Sequence, residues 1–520
     1  MSIIKFKVSI LLSFILIICL ASVTFAASSS NIPLGSYIYE DLERLELKGL
    51  INTAILSSKP FSRIEGARLV QEAVDASESF EFEDVVGYQA ILERLKKEFA
   101  PELSGNKEKV RVTSLESAFL TYLYSSKDPV HMSKNNDGDV YSSASNVKGA
   151  FTSKVTFYDT VTVLIEPQAQ FNSSISELNI LNGYAILDFL GLEFEVGRDS
   201  LWWGSGSNGA LLMSNNARPF DMVKFTTTEA VDFLGQFKPV IFYTSLGTDN
   251  QAVHNTKLCG IRLDLKPLTW FQFGLTRTMM FGGDGRTVMG LAQWWNAFWV
   301  QNNQEHFSNT FNNKQLASID ATFTYINQTG FLPFTAIRIY NEWAASDSNI
   351  SGGSIVQPNG WSVLAGALID EPANISGTDL RFEFGDTALN QRYGFLWYTD
   401  QLYSTGYTYM SRVIGDAMGG DSKNIYLRGQ YHLDNGAVYG LEFEQVWNGI
   451  YSTPSPGILN PYNHSLDSIT DIWIGGDVSY PINEYLTIQG GAGYENLKNS
   501  TKSITNRGIV VWSTLRVMHI

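Results

Sequence analysis

The sequence predicts a mainly β protein, a transmembrane antiparallel β-barrel of about 18 strands with a small N-terminal α-helical bundle. Three observations predict it. Charged residues make up 17% and aromatics 13%, where an ordinary soluble domain carries roughly 25% charged residues. From about Ser114 onward, apolar and polar residues alternate with a period of two. Tight turns and long connectors take turns between these segments, as in barrels with one short-looped and one long-looped end.

The chain opens with the pattern of a secretory leader over residues 1–26. Lys5 and Lys7 precede the apolar stretch Val8 to Leu20, and Thr24-Phe25-Ala26 offers a small residue for cleavage. The apolar run is shorter than the roughly 20 residues that a membrane helix needs. Cys19 follows Ile18 rather than a small residue, which argues against lipidation. Loss of the leader removes two lysines and no acid, so the formal charge moves from −15 to −17. Such an acidic exported chain is not expected to bind nucleic acid, whose phosphates require a basic surface. Only Cys259 then remains, which excludes an internal disulfide. The six histidines are scattered and none forms a metal-ligand pair at helical spacing, so no metal and no cofactor is expected.

Residues 27–110 read as a helical bundle. Tyr37, Ile38, Leu42, Leu45 and Leu47 recur at three- and four-residue steps, and Lys48-Gly49 has the character of a helix end. Ser62 with Glu65 forms a capping-box pattern before Ala67, Leu69, Val70 and Ala73. A third stretch from Gly87 carries Ile91, Leu92, Leu95 and Phe99 on one stripe, with Pro101 expected to close it. These predict three short amphipathic helices.

Residues 111–520 read as the barrel. Leu192, Phe194 and Val196 alternate with Glu193, Glu195 and Gly197; Cys259, Ile261 and Leu263 alternate with Gly260, Arg262 and Asp264; Tyr439, Leu441 and Phe443 alternate with Gly440, Glu442 and Glu444. Charged residues at alternate positions cannot sit in a dry sandwich core without partners. They can face a wet lumen while the apolar set faces lipid. Tight turns are expected at Tyr158-Asp159-Thr160, Lys266-Pro267-Leu268, Asp434-Asn435-Gly436 and Pro481-Ile482-Asn483-Glu484. Long connectors are expected at 200–219, 282–315, 344–360, 415–421 and 448–468. Barrels of this class keep short turns in the periplasm and long loops outside, which would put the bundle in the periplasm. A closed barrel has no free edge, so a monomer in outer-membrane lipid is expected.

Two connectors carry the candidate chemistry. The first holds Trp202, Trp203, Asn208, Asn215, Asn216 and Arg218; the second holds Trp294, Trp295 and Trp299. Indole faces beside amide donors suit the apolar faces and hydroxyl edges of a sugar ring. The same residues also suit an aromatic membrane girdle, loop packing, or a plug folded into the lumen. Catalysis has no such support. No G-x-S-x-G elbow opens a helix, and the paired acids Glu193/Glu195 and Glu442/Glu444 recur on lumen positions, where a solvated face is expected.

The motif in the first connector resembles the capsule assembly protein Wzi family of outer-membrane proteins. The resemblance rests on Gly197-Arg198, Trp202-Trp203-Gly204 and Asn215-Asn216-Ala217-Arg218-Pro219-Phe220, with Pro33-Leu34-Gly35 through Leu50-Ile51 similar to the start of the family. It implies an 18-stranded barrel with a periplasmic helical bundle, a non-enzymatic surface lectin of a Gram-negative outer membrane that attaches capsular or related polysaccharide. The alternative is a porin or substrate-specific channel with a periplasmic helical domain. Lumen positions of mixed sign, among them Arg262, Arg381, Arg428, Asp264, Glu383 and Asp477, argue against selection of ions of one charge.

Overall fold

The computed structural model describes residues 28–79, 88–104, 109–287, 289–290, 293–294, 298, 313–327, 329–349, 357–388, 397–400, 402–450 and 467–518. Eighteen antiparallel strands close into a barrel: β1 (Val110–Ser125), β2 (Ala144–Phe157), β3 (Val161–Phe171), β4 (Ser176–Phe189), β5 (Leu192–Asp199), β6 (Phe220–Thr227), β7 (Gln236–Ser245), β8 (Lys257–Leu268), β9 (Phe271–Phe281), β10 (Asn313–Ile326), β11 (Ala336–Asn349), β12 (Gln357–Asp370), β13 (Thr378–Asp386), β14 (Ser422–His432), β15 (Val438–Asn448), β16 (Ile469–Pro481), β17 (Leu486–Asn499) and β18 (Ile504–Met518). Closure runs through β18 and β1, in register from Ser117 opposite Met518 to Ser125 opposite Val510.

The predicted face alternation holds. Phe194 and Val196 point outward and are exposed, whereas Glu193 and Glu195 point inward. Leu441, 73% exposed, faces out between inward Gly440 and Glu442. The inward charges do not form a solvated face as expected, however. Glu195 is fully buried against Lys224 at 2.6 Å, and Arg262 is fully buried between Asp264 (2.6 Å) and Asp320 (2.8 Å). Protein fills the space that water was expected to fill.

The filling comes from both ends. At the short-turn end sit α1 (Ile38–Leu47), α2 (Arg63–Ser79), α3 (Tyr88–Glu98) and the single turn α4 (Ala100–Leu103). Leu42, Leu45, Leu69, Val70, Leu95 and Phe99 form their core. The cap read from sequence is present: the Glu65 N–H donates to Ser62 Oγ at 3.1 Å. Gly49, at φ +77°, takes the left-handed residue that ends α1. Pro101 lies in the first turn of α4 instead of merely closing α3, because its missing N–H is unneeded there. The polar face of α1 meets the barrel wall: Glu46 accepts from Lys266 at 2.6 Å, Glu43 from Arg338 at 2.7 Å and Arg381 at 2.5 Å, and Lys48 reaches Asp370 at 2.6 Å.

From the other end, residues 126–143, 200–219 and part of 387–421 fold inward. Trp203, Leu211, Leu212, Met213, Trp397, Tyr398 and Tyr407 pack with the inward Phe242, Leu258, Met280 and Tyr340 of the wall into a second hydrophobic core. These connectors are therefore not outward loops. Two other expectations shift. β8 runs through Lys266-Pro267-Leu268, and the chain reverses at Thr269-Trp270; Pro267 marks only a register irregularity, as its missing N–H dictates. β11 extends to Asn349 and β12 begins at Gln357, which shortens the connector expected over 344–360.

Candidate functional site

The Trp-Trp-Gly segment crosses the lumen and ends against the bundle. Trp203 lies opposite Ser58 and Trp202 opposite Lys59 in a two-residue antiparallel ladder, and the Gly204 N–H donates to the Ser57 carbonyl at 2.9 Å. Gly204 has φ +138°, and a Cβ there would stand 2.9 Å from Glu342. Trp203 is 0% exposed. Its ring meets Phe242 edge-on at 5.3 Å between centroids, and a Cβ on Gly260 would intrude on it at 2.9 Å. No face of Trp203 is open to a sugar.

The other residues of this connector hold the plug in several ways. Asn208 donates its N–H to Glu383 at 2.9 Å and its amide to Glu444 at 3.1 Å, and its carbonyl accepts from Asn135 at 2.7 Å. Asn216 is fully buried and donates to the Val413 carbonyl at 2.9 Å. Arg218 forms a two-pronged pair with Glu177 at 2.8 and 2.7 Å. Trp202 and Asn215 differ from these. Both border a cavity of about 410 Å³ between the bundle and the wall. The Trp202 indole N–H is committed to the Gly206 carbonyl at 3.1 Å. Asn215 is 8% exposed and uses its carbonyl to accept from Asp137 N–H at 2.8 Å.

The second connector lies elsewhere. Trp294 is half-buried and stacks on Phe298 at 5.0 Å between centroids. Together they cover Cys259 and Met279, which belong to the outward parity of β8 and β9. Trp295 and Trp299 lie outside the described residues. The structure thus brings Trp202, Asn208, Asn215 and Asn216 together inside the lumen and places Trp294 apart from them, on the outer wall.

Several site-forming residues escape the sequence reading. His131, in the β1–β2 connector, donates to Glu442 at 2.8 Å and Glu444 at 2.9 Å and stacks on Trp473 at 4.3 Å. Burial pulls its pKa down, but the two carboxylates outweigh that and hold it up at about 9. Lys134 reaches Glu444 at 2.9 Å. Burial lifts Asp137 to about 6 although the Ser200 hydroxyl donates to it at 2.7 Å. Burial likewise lifts Asp416 to about 7, and its Oδ2 has no hydrogen-bond partner among the described residues. The one available signal was the polar density of Lys134-Asn135-Asn136-Asp137 in a connector. Among the described residues, no group of three or more His, Cys, Asp or Glu is arranged to hold a metal.

A family model described as capsule assembly protein Wzi matches residues 125–507. The chain belongs to the capsule assembly protein Wzi family. Its fold is that of the Escherichia coli Wzi structure, described as an outer membrane protein involved in group 1 capsule assembly and a carbohydrate binding β-barrel. That structure overlays with a TM-score of 0.70 at 19% identity, covering 94% of this chain and 100% of that one. An "uncharacterized 55.8 kDa protein in cps region" of Klebsiella pneumoniae is 25% identical over 264 residues, 48% of this chain and 49% of that one. The chain thus spans about half the length of that curated relative. OprD from Pseudomonas aeruginosa overlays at a TM-score of 0.47 and 7% identity, over 79% of this chain and 94% of that one. The protein is accordingly an outer-membrane β-barrel of the Wzi family.

Proposed function

We propose that this barrel anchors capsular or exopolysaccharide at the cell surface, without catalysis, as a monomer in outer-membrane lipid. The observation that carries the reading, within a Wzi-family chain, is the closure of the lumen from both ends by the protein's own bundle and plug. A barrel filled in this way is a rigid platform rather than a conduit. Residues 1–26 act as the export leader, the bundle end faces the periplasm, and the end from which the long connectors arise faces the cell exterior, following the loop asymmetry of outer-membrane barrels. The polymer-contacting role assigned from sequence to Trp203, Asn208, Asn216 and Arg218 gives way to a structural one, since these side chains are buried or committed to protein partners. Trp294, Trp295 and Trp299 keep the outer-surface contact role, and Trp202 and Asn215 keep a luminal one.

The test compares a deletion strain with its parent for cell-attached and shed polysaccharide, alongside binding of the purified barrel to polymer from its own host. Loss of the gene should move polymer from the attached to the shed fraction without changing the total. Unchanged attachment would refute the reading.

A further inference from the structure

The cavity of about 410 Å³ beside α1 lies within the roughly 300–1,000 Å³ typical of small-ligand sites. It is bounded by the bundle, by the tip of the plug, and by the short-turn ends of β14–β18. Its charges are unusual for this lumen. Arg428 is held by Glu442 and Asp477 at 3.1 and 2.9 Å, and Arg94 by Asp41 at 2.6 Å. Two other cations on the same wall, Lys59 and Arg516, form no ion pair among the described residues. Lys59 rests over the Tyr39 ring at 4.9 Å and Arg516 over Phe119 at 5.5 Å. One lining acid, the exposed Glu40, is likewise without an ion pair, and only a long 3.5 Å bond from Gln430 reaches it.

The neutral lining has a different character. Trp202 contributes ring carbon, since its N–H is spent on Gly206. Asn215, 8% exposed, also lines the cavity. Asn135, also on the cavity wall, has a buried side-chain carbonyl with no donor among the described residues. Buried polar groups are ordinarily satisfied, and cations withdrawn from water favour a counter-anion. Indole carbon, an unfilled amide carbonyl and two cations with no direct ion pair match one ligand chemistry: a saccharide whose ring carries a carboxylate.

We propose that this luminal chamber binds a uronic-acid segment of an acidic polysaccharide, its carboxylates on Lys59 and Arg516 and a ring hydroxyl donating to the Asn135 carbonyl beside Trp202 and Asn215. The proposal rests on the polysaccharide-anchoring reading and adds a site and a ligand class to it. Its position at the bundle end makes it a second site, separate from the outer-wall aromatics around Trp294.

Titration calorimetry on the full-length barrel in detergent tests it, with tetragalacturonic acid as probe and maltotetraose as the neutral control. Tetragalacturonic acid should bind at least about tenfold more tightly, with a preference that falls as salt rises. Lys59→Gln with Arg516→Gln should erase that preference, weakening the acid by roughly tenfold or more. Heat-modifiable migration on gels would report that the barrel still folds. Ser479→Trp, which fills the chamber and keeps both cations, should abolish binding of the acid. Equal affinity for the two probes, or wild-type affinity in the double variant, would overturn the proposal. If tetragalacturonic acid fails to bind while the deletion strain sheds its polymer, the chamber falls and the anchoring function stands. If the acid binds as expected but the strain keeps its polymer attached, the anchoring reading falls and the chamber stands.

Discussion

Trp203 stands opposite Ser58, and through that pairing a connector that leaves one end of the barrel is hydrogen-bonded to the bundle at the other. The next bond, from Gly204 N–H to the Ser57 carbonyl at 2.9 Å, continues the same short ladder. The bundle, the plug and the wall therefore share one set of contacts, and Trp203 is fully buried among them. Trp203→Ala should cost about 3–5 kcal/mol by the usual cavity penalty for a buried aromatic. A lower temperature for the heat-modifiable gel shift would register it. An unchanged transition would mean that the ladder contributes little and that the plug is held elsewhere.

Arg262 offers a sharper test of how the lumen is held. Its guanidinium is shared by Asp264 and Asp320, with Ser57 donating to Asp264 at 2.8 Å and Ser205 to Asp320 at 3.2 Å. Wall, bundle and plug thus meet at one buried charge cluster. Gly274 makes room for it, since a Cβ there would come within 3 Å of both Arg262 and Asp320. Arg262→Met would leave two buried carboxylates uncompensated, at a cost of about 3–5 kcal/mol. Adding Asp264→Asn and Asp320→Asn removes both charges and should recover most of the loss. Stability measured by urea titration of the three proteins would separate charge imbalance from lost packing, and failure of the triple variant to recover would assign the effect to packing.

Much of this architecture was legible locally. The Ser62–Glu65 cap and the Leu42, Leu45 spacing of α1 depend on residues a few positions apart. The parity of Phe194 and Glu195, or of Leu441 and Glu442, shows in the sequence because pleating alone sorts side chains by face. What the lumen side would meet was not legible. Glu195 pairs with Lys224 on a neighbouring strand and accepts from Asn31, 164 positions away. Trp202-Trp203 in a connector reads alike whether it lies on a surface, in a girdle or in a plug. Its partners, Ser58, Phe242 and Gly260, are distant in sequence and carry no mark of it. Lys59 and Arg516 show no motif, and only the closed fold places them on one cavity.

Two connector residues give the plug pH responses of the same sign in two different windows. His131 is held protonated up to about 9, above its ordinary 6.5. Its stabilisation is therefore complete below about pH 6.5 and is lost as pH rises through 9. Asp416, raised from 3.8 to about 7 by burial, favours the folded state in acid and loses that contribution as pH rises from 3.8 through 7. Thermal transitions should fall across pH 4–7 and again across pH 6.5–9. Asp416→Asn, neutral and isosteric, should shrink the first decline, to which Asp137 also contributes, and His131→Gln should flatten the second only. A first decline of undiminished size in Asp416→Asn would show that Asp416 does not contribute to it.

Orientation can be read by labelling. Asp249 is exposed in the β7–β8 connector at the long-loop end, and Asn435 sits in the tight β14–β15 turn beside the bundle. In a Cys259→Ala background, Asp249→Cys should react with a membrane-impermeant maleimide on intact cells. Asn435→Cys should react only after the outer membrane is opened. The reverse pattern would place the bundle at the cell surface.

The closed lumen makes a prediction that separates platform from channel. A hydrophobic core that includes Trp203, Leu211, Trp397 and Tyr398 lies across the barrel, and ion pairs from Glu43, Glu46 and Lys48 fix α1 in the opposite mouth. An ion crossing this path would have to displace packed apolar side chains and enter a region where bare charge is strongly disfavoured. In planar bilayers the wild-type barrel should give no steady open-channel current, and the chamber beside α1 should behave as a dead end. Arg262→Met, which loosens wall, bundle and plug together, should give brief and irregular openings in a protein that still migrates as a folded barrel. Large steady currents from the wild type would show that the plug moves aside readily, and the channel reading would then displace the anchoring one.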